Sequence, residues 1–364
     1  MKESTVIETL KRGFPEAQIG DDAALLASGR GEIVLAADAV VEGVHYDLSF
    51  STLSQAVQKV ISSNVSDIFA MGAKARAILV TAGLTKGCKQ EELDEIVKGL
   101  KLGCDYYGIE LAGGDTVYSP GGGFFNIAIT GEVPAGKAVR RKGAAPGDLI
   151  VMTGECGGSL SGMRLVKDLF EIHKGDDLAG AILPSDRKIR KILRDFVSEM
   201  DLSAGPEEIK RFCGNRGIPS VVSGGLGLIR QYLVPPARPL DIPGIEAKGI
   251  EITSMIDVSD GVGKDLAALC SESGVGALID EEYMPVPRVL LNLPEISRNL
   301  IISLALSSGE EYCQIATLRG AGGSFKAEGI FPVGKITDGD RKVFLRDRKG
   351  REREIGQSGY EHIF

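Results

Sequence analysis

The chain has only three histidines, His45, His173 and His362, and its six cysteines, at 88, 104, 156, 213, 270 and 313, include no CxxC pair. That scarcity argues against histidine-rich metal chemistry, a zinc site or a disulfide framework, and predicts reduced core thiols. His173, in the charged run FEIHKGDD, reads as a solvated surface residue. No apolar run approaches the ~20 residues that span a bilayer. Neither GxxxxGK[ST] nor a full GxGxxG is present, so a P-loop and a dinucleotide fingerprint are both missing. Positive charge is short as well: 42 Lys and Arg against 50 Asp and Glu leave a net charge of -8, which disfavours a nucleic-acid partner. The opening MKESTVIETLKRGF mixes charge with helical spacing and lacks a signal-peptide core, so the expected location is the cytoplasm.

The composition, 43% hydrophobic and 25% charged over 364 residues, is that of an ordinary globular protein large enough for two cores. A break at Pro146 and Gly147 divides the expected domains into 1-146 and 147-364. Residues 4 to 12 read as a short amphipathic helix. The stretch Ile19 to Asp47 crowds carboxylates around one apolar strand: Asp21 and Asp22 follow Gly20, Asp38 ends the run Ile33 to Ala37, and Glu42 and His45 follow. Adjacent carboxylates repel unless cations or protons intervene. From Thr52 to Met71 the apolar spacing predicts a buried helix of about five turns, with Asn64 and Asp67 at the border of its stripe. A carboxylate there needs a partner, either a metal or a lysine.

Similar logic recurs downstream. A strand from 109 to 112 runs into Gly113, Gly114, Asp115 and Thr116, either a plain turn or a backbone opening for a ligand with Asp115 beside it. Arg140, Arg141 and Lys142 form a basic loop, either solvated or a phosphate clamp. The strand DLIVMTG, a glycine turn and a helix from near Ser159 can receive an anion at the helix start. Residues 164 to 232 are charge-rich and helical in pattern, with no readable motif. The strand IEITSMI delivers Asp257, then Ser259 and Asp260, which would make ordinary helix caps. Glu310 and Glu311 read locally as solvated turn acids.

Acids at strand ends, a basic loop and glycine turns together suggest phosphate binding through magnesium, which prefers oxygen ligands. Ions shared by Asp22, Asp38, Asp67, Asp115 and Asp257 would let two phosphorylated substrates approach, and phosphoryl transfer follows.

IGDDAALL, Asp38 with His45 seven residues on, NVSDIFAMGAKA, AGGDT, APGDLIVMTG, DVSDG, SSGEEY and the terminal GYEHIF together resemble the thiamine-monophosphate kinases of the AIR synthetase-like superfamily. The likeness covers nearly the whole chain except roughly 165 to 230, a helical insertion longer than the family norm. It implies a two-domain α/β (α+β) fold, with N-terminal sheets paired into a shared barrel in a homodimer and a separate C-terminal α/β domain. It also implies ATP- and Mg2+-dependent conversion of thiamine monophosphate to thiamine diphosphate by direct transfer. By matching position, Asp22, Asp38, Asp67, Asp115 and Asp257 would bind magnesium, with Asp260 a further ligand. Gly114, Asp115, Arg141 and Ser259 would face ATP, and His45, Glu310 and Tyr360 the thiamine phosphate. Ala36 and Ala37 stand where the family has hydroxyl residues, which removes a side-chain ligand and leaves a carbonyl.

The rivals are other superfamily enzymes and a catalytically silent nucleotide-binding protein. A hydrogenase-maturation dehydratase would need a C-terminal cysteine where this chain has Phe364, and a selenide water dikinase an N-terminal one, whereas the first here is Cys88. The context of His45 and the GYEHIF tail favour thiamine phosphate over the AIR synthetase substrate.

Overall fold

A computed structural model of the chain describes residues 21–28, 31–173, 175–322, 325–356 and 358–361. The helix expected over 4 to 12 and the tail residues His362 to Phe364 lie outside them. Two sheets organise a mixed α/β fold. The first comes from β1 (Ala24–Ser28), β2 (Gly31–Val41), β3 (Lys74–Leu84), β4 (Glu110–Tyr118) and β5 (Phe124–Val133), in the order β1-β2-β5-β3-β4. The second comes from β6 (Leu149–Met152), β7 (Glu251–Asp257), β8 (Gly276–Asp280), β9 (Gln314–Arg319), β10 (Phe331–Thr337), β11 (Val343–Arg346) and β12 (Glu352–Glu354), ordered β12-β11-β8-β10-β6-β9-β7.

Helix α1 (Leu53–Ala70) lies between the sheets. Thr52 and Gln55 form a capping box at its start, and Val57, Val60, Ile61, Val65 and Ile68 are completely buried, as the spacing predicts. Its polar residues are buried too, because α1 packs on β2 and β5 and also meets β7 and β9. A helix enclosed on all sides must satisfy its polar groups internally. Gln55 Nε2 accordingly donates to the carbonyls of Val197 at 2.7 Å and Met200 at 3.1 Å, and Gln58 Oε1 accepts from Leu202 N at 2.9 Å. These partners belong to the charge-rich segment without a readable motif. After α2 (Gln90–Tyr107), which packs on α1, this segment and the helix leading into it fold as α3 (Gly158–Leu169), α4 (Asp177–Ile182), α5 (Arg187–Ser198), α6 (Pro206–Gly214) and α7 (Ser220–Leu233), ahead of the short α8 (Ile242–Glu246), and the α5–α6 connection docks on α1.

Two expectations about strand ends are corrected. β2 continues past Asp38, pairing with β5 as far as Val41 opposite Phe124, so Asp38 lies inside a strand. β4 likewise runs through Gly113, Gly114 and Asp115, held in parallel register against β3 with Asp115 opposite Thr81. The glycines serve close approach rather than a turn: a Cβ on Gly114 would lie 2.0 Å from the Val80 carbonyl oxygen. Asp257 does end its strand, β7.

Helix α3 crosses α7 so closely that a Cβ on Gly162 would lie 1.9 Å from the Leu228 carbonyl oxygen. Overpacking there forces the two helices apart, so Gly162→Val is expected to lower the unfolding free energy by about 1–3 kcal/mol in denaturant titration. By contrast, exposed Gly180 in α4 has nothing within 4 Å of its would-be Cβ. Gly180→Ala is expected to stabilise by about 0.5–1 kcal/mol in the same measurement.

Candidate functional site

The N-terminal acids, α1 and the end of β7 converge on one point. Asp22, Asp67 and Asp257 each bring a carboxylate oxygen into a group whose members all lie within 4.8 Å of one another. Asp22 directly precedes Ala23 and β1, Asp67 projects from the last turns of α1, and Asp257 is the final residue of β7. Ser66, beside Asp67, donates to Asp257 Oδ2 at 2.7 Å. Asn64 Oδ1 accepts from the backbone N–H of Asp38 at 3.1 Å, and its Nδ2 donates to Val60 O at 2.8 Å, fastening β2 to α1. The border row Asn64 and Asp67 therefore faces the site.

Burial raises the Asp67 carboxyl well above the ordinary carboxylate range, and the charges of Asp38, Asp257 and Asp22 push it the same way, against Arg141. Asp257 is also raised well above that range, first by burial and then by Asp22, with Ser66 and Arg141 opposing. Asp38 thus lies near enough to act on Asp67. Arg141 is the counterweight. Its Nε and Nη2 donate to the two oxygens of Asp22 at 3.2 and 2.7 Å, while its backbone N–H and the Arg140 guanidinium both reach Asp21 at 2.9 Å. The Asp22 side chain is 0% exposed, and loss of solvent depresses the Arg141 proton affinity less than the nearby carboxylates raise it.

Asp265, unremarkable in the sequence, supports the far side. Its Oδ2 accepts from the backbone N–H groups of Ser259, Asp260 and Gly261 at 3.1, 3.1 and 2.9 Å. The DVSDG turn is therefore braced from within α9 (Val262–Ser273), and neither Ser259 nor Asp260 makes the cap expected of it. Burial first, and Asp260 second, push Asp265 up to about 8. Asp260 itself pairs with Lys264 at 2.6 Å and stands apart from the three-acid group. Asp115 also stands apart. It is exposed on edge strand β4, with its Oδ1 on the N–H of Thr116 at 2.8 Å and Gly114 beside it.

A second group gathers around Lys59, which the sequence reading passed over. Its Nζ donates to Glu310 Oε2 at 2.6 Å and to the His45 carbonyl at 3.1 Å, and sits 4.3 Å above the Tyr232 ring. The side chain is only 3% exposed. His45 Nδ1 accepts from Val41 N at 3.1 Å. Glu310 and Tyr312 hold left-handed backbone angles, φ 54° and 49°, stabilised by backbone bonds to Ser259 and Val258. Such strain in non-glycine residues concentrates at functional loops. Glu311 corrects the solvated-turn expectation: it is 0% exposed, and its Oε1 accepts from Gly157 N, Ser159 N and Ser308 Oγ. The glycine turn before α3 therefore has its anion already, supplied by the chain. Tyr360 is half exposed, with its N–H on the Asp260 carbonyl at 2.9 Å and its own carbonyl on Lys264 Nζ at 2.6 Å. His173 is exposed as expected, and all six cysteines are free, five of them buried.

Oxygen ligands from acids this close suit a hard cation, and among the described residues no softer ligand joins them. The carboxylates are costly without one. A carboxyl raised in the folded state stabilises fully below its unfolded pKa, and that contribution disappears as pH rises through the folded value. The metal-free fold should therefore weaken from about pH 4, the unfolded carboxyl range, up to the value near 8 reached by Asp265.

Comparison with known proteins adds likeness to this geometry. Residues 20–133 match the family model "AIR synthase related protein, N-terminal domain". That match is confined to the N-terminal part of the chain. Over its full length the chain is similar to thiamine-monophosphate kinases. The one from Pyrococcus horikoshii is 26% identical over 100% of this chain and 96% of its own length, and the one from Escherichia coli is 28% identical over 96% and 92%. The structure of AaThiL complexed with AMPPCP and TMP superposes with a TM-score of 0.74 at 23% identity, covering 100% of this chain and 97% of that one. No described helix is long and apolar enough to cross a membrane.

Asp67→Asn should raise the melting temperature of EDTA-treated protein at pH 8, and should diminish the further rise produced by adding Mg2+. Scanning calorimetry reads both; a lower melting temperature without metal contradicts the repulsion.

Proposed function

We propose that the protein is a kinase that uses ATP to phosphorylate thiamine monophosphate, giving thiamine diphosphate by direct in-line transfer. The observation that carries this reading is the oxygen-only cluster of Asp22, Asp67 and Asp257 at the meeting of the two sheets, in a chain similar throughout to thiamine-monophosphate kinases. One solved relative of the same fold is a complex with AMPPCP and TMP.

Asp22, Asp67 and Asp257 would hold Mg2+, with Asp38 beside them and Asp115 and Asp260 supplying further carboxylates around the bound nucleotide. Bound magnesium would neutralise phosphate charge and let donor and acceptor phosphates lie together. Arg141, which borders the cluster through its pair with Asp22, would present its planar fork to phosphate oxygens. Gly114, without a side chain on the edge strand, and the exposed Ser259 leave room for ATP. On the other side His45, Glu310 and Tyr360 receive the thiamine phosphate, with Lys59 holding Glu310 and the His45 loop in place. Ala36 packs against the core and Ala37 is exposed, so neither adds a ligand side chain, and only backbone carbonyls remain on that part of β2.

The site divides between an N-terminal domain, 1-146, and a C-terminal domain, 147-364. Their sheets take strands on either side of the segment between Val133 and Leu149. A cytoplasmic homodimer fits the first sheet. Leu26, Leu79, Leu111 and Tyr118 are 50, 53, 50 and 65% exposed on it, and every residue of edge strand β4 is exposed. An unpaired apolar edge invites a second copy, whose matching sheet would close a barrel.

Incubation with Mg·ATP and thiamine monophosphate should yield thiamine diphosphate and ADP in equal amounts. Asp67→Asn should reduce kcat on the order of 100-fold or more while unfolding stays cooperative. No thiamine diphosphate, with turnover of a different phosphate acceptor, would sink the assignment; unchanged turnover in Asp67→Asn would remove that residue from the chemistry.

A further inference from the structure

A second cavity, of about 810 Å³, opens among α3, α6, α7 and α10 (Arg288–Leu291), and none of Asp22, Asp67, Asp257, His45, Glu310 or Tyr360 lines it. Its volume is in the range of small-molecule sites. Lys210, Arg230, Arg238 and Arg288 reach it, against Glu155 and Glu311, so it is basic in an acidic protein. Val221, Leu228 and Val289 provide an apolar wall.

Among the described residues, two buried polar atoms in this lining have no hydrogen-bond partner. Glu311 spends Oε1 on three donors, while Oε2 accepts from nothing, although the residue is fully buried. Arg230 donates through Nη2 to Leu202 O at 2.6 Å, but its buried Nε is unpaired. Such groups are rare because leaving them unpaired is unfavourable, and an acceptor and a donor unmatched in one cavity point to a ligand that supplies both counterparts. Gly158 keeps the space over Glu311 clear: even a Cβ there would stand 3.5 Å from Oε2.

We propose that this cavity is a second ligand site that takes an amino-bearing heterocycle joined to a diphosphate. The amino N–H would meet Glu311 Oε2, the ring would lie on the apolar wall, and the anion would be held by the arginines and Lys210. The identity of the ligand rests on the kinase reading, since that reaction releases two molecules of this chemistry, thiamine diphosphate and ADP. The site would register one of them without using the acid cluster.

Calorimetric titration of the full chain in EDTA separates the two sites, because acids without metal repel a diphosphate. Thiamine diphosphate or ADP should bind one per chain, at least tenfold more tightly than inorganic pyrophosphate, and which of the two binds identifies the source. Arg288 and Lys210 are exposed, so Arg288→Glu with Lys210→Glu should fold normally and weaken binding at least tenfold. Asp67→Asn should leave it unchanged. Three results overturn the site: no binding of either diphosphate, binding that survives both charge reversals, or binding lost with Asp67→Asn. Pyrophosphate binding equally tightly overturns the role given to Glu311. All these outcomes are read without turnover, so failure of the kinase assay and failure of this site remain distinguishable.

Discussion

Mutual repulsion among Asp22, Asp67 and Asp257 is the constraint around which the rest of the structure is arranged. Like charges within 4.8 Å and out of solvent are unfavourable, and three different elements must be strong enough to hold them there. The cores on both sides of α1 supply that strength. Arg141 on Asp22 and Ser66 on Asp257 relieve part of the repulsion without removing it. The remainder is what a cation would neutralise, so the proposed affinity for metal and the cost of holding these acids together have one cause.

Helix α1 transmits this constraint. It carries Asp67 and Ser66 toward the acids, Asn64 toward β2, and Lys59 toward Glu310 and His45, all from one buried segment. One rigid element therefore fixes the spacing between the acid cluster and the proposed acceptor pocket. Direct transfer depends on such fixed spacing, since rate falls steeply with misplacement of the reacting groups. The end of α5 and the α5–α6 connection brace the same helix through Gln55 and Gln58, which gives the charge-rich segment a structural role.

Local periodicity made much of the fold legible. The buried stripe of α1, the helix over Gln90–Tyr107 ending at Gly108 and the strand Phe124–Val133 all follow from apolar spacing and a left-handed glycine cap. Of the site, Asp22, Asp67 and Asp257 were legible because a carboxylate beside an apolar run needs an explanation. Asp38 and Asp115 were misplaced at strand ends, because pairing with β5 and β3 extends both strands beyond their apolar runs. Lys59 was hidden, since a lysine in a helix reads as solvated until a second element covers it. Glu311 was hidden for a similar reason: the helix start that buries it is about 150 residues away in sequence, a separation no local pattern reveals.

The proposal on which the account turns is that the three acids form a divalent-metal site bordered by Arg141. Anomalous diffraction from a crystal containing Mn2+ and a non-hydrolysable ATP analogue tests it most directly. The expected result is a manganese peak bonded to Asp22, Asp67 and Asp257, with the Arg141 guanidinium moved from Asp22 onto the nucleotide phosphates. A map with no peak among these carboxylates, the Asp22–Arg141 pair intact and the nucleotide bound elsewhere would contradict it.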